Sequence, residues 1–527
     1  MPDRSGRQYE SRFAAFVLRL IAAASIFVLG GCTTLGPDFK TPASNWLDHW
    51  ELSLHGLADT EQPDTELDEA TFWNGLFNDP VLQQLIAEAQ RANPQLRIAA
   101  LRIFESRALQ GMAGSSLYPQ LQQLTGSATH VESRNHEMSS TRSLGSYQGG
   151  FNIGWELDFW GRFQRSIESA DAAFFASVEN QRAIQVLINA RITDLYFSYQ
   201  VTQARIRIAR KNAEIQKRSF NITTEQFNSG NTSELDVQQA KTQYLSTLAA
   251  IPALEQTLVQ IRNALSVLLG RAPGNLKILD DPNYELPKAD SAKVAILPSK
   301  LLLRRPDVHA AAWLVAAQSA RIGIAEADFY PSISLLGTLG WAGSSIATAG
   351  TSTLALGPAI KWNLFDHGFI SNNIRVQDAR LEQLIEAYQN TVLQAAAEVD
   401  NAAIAVLKSA ERIALLEESV KSAERALEIA NTNYKEGYAG FQRVLDAQRA
   451  LFGQTDRLIS TRGDNISAII ALYKGLGGGW RPRQASDLLP DTLRQEMKQR
   501  VDWGELLDSP LASPPDIMTQ DIHKEAP

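Results

Sequence analysis

Few side chains in this sequence have the company that chemistry requires. Seven histidines stand at positions 49, 55, 130, 136, 309, 367 and 523. None falls in a His-Glu-x-x-His pair and none has a cysteine partner, so no metal-ligand spacing forms. There is no Walker A loop and no nucleophile elbow. Gly475, Gly477, Gly478 and Gly479 follow a helical pattern and do not join a strand to a helix, so they read as helix termination and not as a phosphate cradle. His130 and His136 flank the polar stretch 131–137, which reads as a solvated loop. An enzyme is not expected.

One residue does have a chemical context. Cys32 is the single cysteine of 527 residues, which excludes disulfides within the chain. Arg4, Arg7, Arg12 and Arg19 precede or enter an apolar stretch at 20–29 that runs into Leu29-Gly30-Gly31-Cys32. That order, basic then apolar then small, is an export signal. Residues 1–31 are therefore expected to be a lipoprotein signal peptide, with Cys32 the acceptor of a covalent diacylglycerol and an N-acyl lipid and 32–80 an anchored segment. The alternative is a chance cysteine behind an ordinary signal. Each buried CH₂ contributes about 0.8 kcal/mol, so several acyl chains would hold the protein on a membrane essentially permanently. No run of eighteen apolar residues follows, and no helical membrane span is expected.

The elements behind these residues are written twice. Trp155 recurs as Trp362, Gly161 as Gly368, Gly230 as Gly437 and Gly270 as Gly477, always 207 positions on, whereas Pro94 and Pro119 recur as Pro306 and Pro331, 212 positions on. The five-residue difference lies between Pro119 and Trp155, where a longer connection is expected in the first copy. Repetition at so long a period indicates two quasi-equivalent halves and not a solenoid. The first repeat covers 81–270 and the second 301–480, joined by a linker at 271–300 and followed by a tail at 481–527.

Each half carries a run free of glycine and proline, 162–229 and 369–436. As a single helix each would be about 100 Å long. In the second run Leu381, Ile385, Tyr388, Val392, Ala396, Val399, Ala403, Val406, Ala410, Ile413, Leu416, Val420, Ala423, Leu427, Ala430 and Tyr434 advance by steps of four and three that alternate almost without error. That period is close to 3.5 and predicts a coiled-coil seam. Gly230 and Gly437 end the long helices, and return helices are predicted at 232–269 and 441–476, the first kinked at Pro252.

Ahead of each long helix the period changes from 3.6 to 2. Alternation predicts strands at about 120–131, 147–158, 332–341 and 353–364, with Trp155, Trp341 and Trp362 near their ends. Alternation alone suits a soluble hairpin as well as a membrane-spanning barrel strand. Four strands cannot close a barrel that crosses a membrane, because open edges leave backbone groups unsatisfied in lipid, so closure requires several chains. Composition fits a folded exported protein: 44% of residues are apolar, and the net charge of −8 offers no basic surface for nucleic acid.

Several longer words are more specific. They are Gly36-Pro37-Asp38-Phe39, Ser233-Glu234-Leu235-Asp236-Val237-Gln238-Gln239-Ala240, Leu302-Leu303-Arg304-Arg305-Pro306-Asp307-Val308, Val444-Leu445-Asp446-Ala447-Gln448-Arg449, and the run from Leu472 through Gly479 to Trp480. Through them the chain resembles, over about 32–480, the TolC-like outer membrane efflux proteins, in particular their NodT-type lipoprotein branch. The resemblance implies a mainly α fold with a transmembrane β part. Two tandem repeats would supply long coiled-coil helices to an α-barrel tunnel and four strands per protomer to a 12-stranded β-barrel shared by a homotrimer. It implies a lipid-anchored place in the outer membrane of a Gram-negative bacterium, extending into the periplasm. It further implies a passive exit duct for drugs or other small solutes, with a periplasmic adaptor and an inner-membrane transporter of RND type as partners. Polypeptide export, or a lipid-anchored periplasmic scaffold without a pore, are the alternatives.

The resemblance also places a periplasmic gate at Asp446 and Arg449, with Asp446 facing the pore and Arg449 holding the closed state. The alternative is a solvated pair worth roughly half a kcal/mol. Some members have an apolar residue at the position of Gln442, so a hydrophobic constriction there is not implied. Asp236, aligned with Arg443, would add an acidic ring. Family logic puts 33–75, the linker and part of the tail in a belt around the tunnel. In the tail a short helix is predicted within 489–507, and 509 onward is expected to be extended or disordered.

Overall fold

The computed structural model describes residues 34–42, 77–135, 140–274, 276–279, 284, 286–287, 299–344, 350–515 and 517. The signal peptide, Cys32, most of the anchored segment and much of the linker lie outside these residues. In chain order the elements are α1 (Pro80–Ala92), α2 (Pro94–Ser115), β1 (Leu121–Asn135), β2 (Ser140–Leu157), α3 (Arg162–Asn228) and α4 (Glu234–Leu268). Then follow α5 (Pro306–Ala327), β3 (Ser332–Gly343), β4 (Thr351–Lys361), α6 (Phe369–Lys435), α7 (Phe441–Gly475), α8 (Ala485–Leu488) and α9 (Asp491–Arg500). The duplication is reproduced to the residue: α3 and α6 have 67 residues each, α4 and α7 have 35, α2 and α5 have 22.

Both long helices end in the same way. Gly230 and Gly437 take φ of +74° and +76°. Asn231 N donates to Gln226 O and Tyr438 N to Asn433 O, each at 2.8 Å. This is the six-to-one bond of a Schellman motif, which only a residue comfortable in the left-handed region closes without strain. Within α3, buried threonine hydroxyls are satisfied by the carbonyl four residues back, as Thr193 Oγ1 donates to Asn189 O at 2.8 Å. α4 runs on through Pro252.

The chain divides into two compact units. One comprises Met1–Thr41, Glu105–Phe175 and Ala312–Glu386, the other Pro42–Phe104, Ala176–Ala311 and Ala387–Pro527. The first holds one antiparallel sheet in the order β1-β2-β3-β4, so β1 and β4 are its two edges. β2 pairs with β3 no further than Tyr147↔Gly343, whereas the β1–β2 ladder continues to Asn135↔Ser140. The first hairpin is thus longer in its strands, 15 and 18 residues against 12 and 11. This corrects two expectations. The extra length is not a longer connection, and 131–135 are strand and not solvated loop, because ladder hydrogen bonds come from the backbone whatever the polarity of the side chains.

The second unit is built on a helical core. The middle of the predicted seam is buried, with Tyr388, Val392, Ala396, Val399, Ala403 and Val406 joining Leu82 and Leu85 of α1, Ile192 and Tyr196 of α3, Leu265 of α4 and Ile469 of α7, whereas Leu381, Ile385 and most of the seam beyond Val406 are half-buried. Asp79 ties three segments of this unit. Its Oδ1 caps α1 through Val81 N (2.9 Å) and Leu82 N (3.1 Å), and its Oδ2 accepts from the hydroxyls of Tyr196 (2.8 Å) and Tyr284 (3.1 Å). Burial, with Asp79 adjacent, pushes both tyrosines above their ordinary pKa, so both remain donors. In the tail, α9 falls within 489–507, where a short helix is expected, and α8 precedes it; Leu489, Met497, Leu507 and Ile517 are buried.

Candidate channel elements

The sheet has two chemically distinct faces, which follow from its register. Residues directly opposite one another share a face. Leu124↔Phe151, Phe151↔Leu339 and Leu339↔Leu354 form one apolar row across all four strands. On the same face, Trp155↔Leu335↔Pro358 and Leu157↔Ile333↔Ile360 form two more. These side chains are not covered by the protein: Leu124 is 85% exposed, Leu354 71% and Leu356 77%. The other face carries Gln123↔Asn152↔Thr338↔Ala355 and Thr125↔Gly150↔Gly340↔Thr353. Asn152 Nδ2 donates to Thr125 Oγ1 at 3.3 Å and Thr338 Oγ1 donates to Asn152 Oδ1 at 3.1 Å. This polar ladder links three strands without a charge.

The three tryptophans bound the apolar face at two levels. Trp155 lies opposite Leu335, and Trp341 lies six residues further along β3, about 20 Å away at 3.3 Å per residue. Trp155 and Trp362 are fixed identically, Nε1 of the first donating to Leu117 O (3.2 Å) and of the second to Phe329 O (2.9 Å). Those carbonyls are 212 positions apart, the spacing of the upstream part of the repeat. An apolar band of about 25 Å between aromatic levels is what a lipid-facing barrel wall presents.

In the second unit α4 and α7 start just after the glycine turns, and their first turns differ. Ser233 caps α4, and Asp236 completes a capping box: its Oδ2 accepts from Thr232 Oγ1 (2.7 Å), Ser233 Oγ (2.8 Å) and Ser233 N (3.3 Å). Burial works to raise this carboxyl, but the hydrogen bonds from Thr232 and Ser233 outweigh it and hold Asp236 below the usual carboxylate range. α7 has Gly440 at the same place and no side-chain cap. Asp236 thus has a structural role that Ser233-x-x-Asp236 already signalled.

On α7 the buried side, Phe441, Val444, Leu445 and Gln448, packs with Ala240, Phe220 and Tyr434, and Gln448 Nε2 donates to Ser219 Oγ at 3.0 Å. Gln442, Asp446 and Arg449 project from the opposite, exposed side. Gln442 Nε2 donates to Asp446 Oδ1 at 3.1 Å, and Arg449 Nη1 stands 3.6 Å from the same oxygen. The structure adds a partner that sequence reasoning missed: Arg449 Nε donates to Gln243 Oε1 of α4 at 2.5 Å. The two residues are 206 positions apart, one short of the repeat spacing, so they occupy near-equivalent turns of the two return helices.

His130 lies on β1, with Nε2 3.1 Å from Ser143 Oγ, and His309 Nε2 lies 2.6 Å from Leu303 O. Among the described residues no group of three His, Cys, Asp or Glu is placed to hold a metal ion, and no helix is long and apolar enough to cross a membrane.

Comparison with known proteins bears on these elements. The sequence matches the profile described as "Outer membrane efflux protein" over residues 85–271 and again over 297–478, one match per repeat. It is 30% identical over 473 residues to the probable outer membrane lipoprotein SilC of Salmonella typhimurium, covering 88% of this chain and 99% of that protein. It is 30% identical over 467 residues to the cation efflux system protein CusC of Escherichia coli, with 88% and 99% covered. Among solved structures it is similar to the outer-membrane channel OprN, with a TM-score of 0.76 at 30% identity over 85% of this chain and 100% of that one.

Proposed function

The chain belongs to the outer membrane efflux protein family, and on that premise we propose that three copies share their strands in one closed barrel and their helices in one tunnel. It is an outer-membrane channel of an efflux system, and members of its family are channel proteins. The observation that carries the trimeric reading is the sheet itself. Four strands with an uncovered apolar face and two free edges cannot stand in a bilayer alone, since each unpaired edge group in lipid costs several kcal/mol. Three such sheets joined β4 to β1 give twelve strands with no edge, the apolar rows toward lipid and the Thr125–Asn152–Thr338 ladder toward the lumen. Trp155 and Trp362 then mark one membrane interface and Trp341 the other.

Helices of 67 residues, about 100 Å at 1.5 Å per residue, suit a duct across the periplasm. With two repeats per chain, the tunnel wall has six similar sectors. Asp446, Gln442 and Arg449 face the lumen at its closed periplasmic end, with Asp236 on the neighbouring hairpin. Cys32 carries the diacylglycerol and N-acyl lipid that hold each chain to the outer membrane. A periplasmic adaptor and an energised inner-membrane transporter complete the system, and the duct itself passes drugs or other small solutes without doing work.

Protein purified from membranes and reconstituted in planar bilayers tests the reading. Ion conductance from a species that cross-links as a trimer supports it. A species that stays monomeric in mild detergent and never conducts would falsify it.

A further inference from the structure

Arg165, in the first turn of α3, is the most enclosed cation among the described residues of the unit that holds the sheet. Its side chain is only 4% exposed. Nε donates to Leu35 O at 2.9 Å, Nη2 to Gly36 O at 3.1 Å and to Asp38 Oδ1 at 2.8 Å, and Nη1 to Glu168 Oε2 at 2.8 Å. Two of the four partners are backbone carbonyls of the leader segment just downstream of Cys32. The charge pair with Asp38 is a minor part, since that carboxylate is 88% exposed.

The leader is held from its other side as well. Leu35 N donates to Trp160 O at 3.3 Å, and Ser319 Oγ of α5 donates to Pro37 O at 3.3 Å. Gly36 has φ of +85° and crosses Gly323 of α5 so closely that a Cβ on Gly36 would lie 2.4 Å from Gly323 Cα. A Cβ on Gly323 would in turn lie 2.3 Å from Leu35 O. Trp160 is itself fixed, its Nε1 donating to Pro331 O at 2.9 Å and its ring stacked on Tyr330 at 4.6 Å. The second repeat has no such arrangement: 207 positions on stands Asn372, whose Oδ1 accepts from Arg375 of its own helix at 3.0 Å. A guanidinium is found where the leader passes and not where the repeat merely recurs.

We propose that Arg165 is a latch that seats the leader 34–38 on the base of the sheet and so sets the height at which the lipid on Cys32 enters the membrane. Cys32 is two residues from Thr34 and can lie no more than about 7 Å of chain away. Thr34 packs against Gly161, whose added Cβ would meet it at 2.8 Å. Anchor and sheet base are thereby kept at one level, and Arg165 is the positioning residue. The membrane consequence rests on the acylation of Cys32 proposed above; the latch itself does not.

Hydrogen exchange read by mass spectrometry on the intact protein from membranes tests this. In Arg165→Met the amide of Leu35, which donates to Trp160 O, exchanges about ten- to a hundredfold faster than in wild type, as expected when the charge-assisted hydrogen bonds that seat the leader are lost. Arg165→Lys, which keeps the charge and loses the fork, falls between them. Gly36→Ala, whose Cβ would meet the backbone of Gly323 and Ile322 and not Arg165, displaces the leader with the arginine intact and gives the same acceleration, so the test survives if the methionine variant does not fold. Leader amides already unprotected in wild type, or unmoved in both variants, overturn the latch. A leader that is protected in wild type while the intact mass shows an unmodified Cys32 supports the latch and removes the acylation reading alone.

Discussion

Arg449 is shared between two partners of unlike strength: Gln243 of α4 at 2.5 Å, and the carboxylate of Asp446, three residues back on its own helix, at 3.6 Å. Only the first joins two helices. The second is an exposed i, i+3 pair worth about half a kcal/mol or less. If these side chains hold the closed end, Arg449→Ala should open it most, Gln243→Ala nearly as much, and Asp446→Ala least though measurably. Single-channel conductance and uptake of large antibiotics by intact cells read the order. Variants indistinguishable from wild type in both would remove these residues from the gate.

Asp236 gives the same end of the molecule a pH limit. Its folded pKa lies below the ordinary 3.8 because Thr232 and Ser233 donate to the carboxylate. A depressed carboxyl contributes stability that is present above its unfolded pKa and lost as pH falls through the folded one. The α4 cap should therefore stay intact from neutrality down to about pH 4 and loosen only below that. Amide exchange of 233–237 as a function of pH checks it. Asp236→Ala should remove about 1 kcal/mol or less of local protection at neutral pH, since the carboxylate is only partly buried; loosening already at pH 6 would show that another group governs the cap.

These two sites show what was readable in the sequence and what was not. The seam from Tyr388 to Val406 was legible because a helix free of glycine and proline exposes its packing as a period, and the paired glycines fixed both ends. The capping box was legible in principle, since Ser233 and Asp236 are local neighbours. The Arg449–Gln243 bond was not, because it depends on which helix lies alongside, and no local pattern encodes that. Arg165 was hidden for the same reason, its leader partners being 127 to 130 positions away. The extension of β1 through Asn135 was missed because polar side chains mask a ladder that the backbone makes.

Arg305 predicts a stability effect apart from the pore. Its side chain is 9% exposed and donates to Gly475 O at 2.7 Å, to Asp307 at 2.7 and 3.0 Å, and to Glu398 at 3.2 Å. Arg305→Met would leave the last carbonyls of α7 without this donor. The two carboxylates are about 40% exposed and can turn to water, so the cost falls below the 3–5 kcal/mol of a fully buried pair, to about 2–3 kcal/mol. Thermal unfolding of the detergent-solubilised protein should shift down by several degrees, with conductance of the surviving fraction unchanged.

Leu356 and Ala355 offer the sharpest test of the barrel, because they are neighbours on β4 with opposite faces. Leu356 lies on the apolar side opposite Gly337 and is 77% exposed, and Ala355 lies on the polar side opposite Thr338. In a barrel spanning the membrane, Leu356→Arg places a guanidinium in hydrocarbon at a cost of about 2–4 kcal/mol per chain near the midplane, and three chains add their costs in one assembly. Ala355→Arg places the same group in the aqueous lumen, beside the Asn152–Thr338 pair, where it is solvated. The first variant should be depleted from the outer-membrane fraction and fail to form trimers. The second should assemble normally, conduct less and favour anions. A soluble hairpin would tolerate both substitutions alike, since neither face would meet lipid. Equal trimer yields for the two variants would therefore place the sheet in water, whatever the family resemblance suggests.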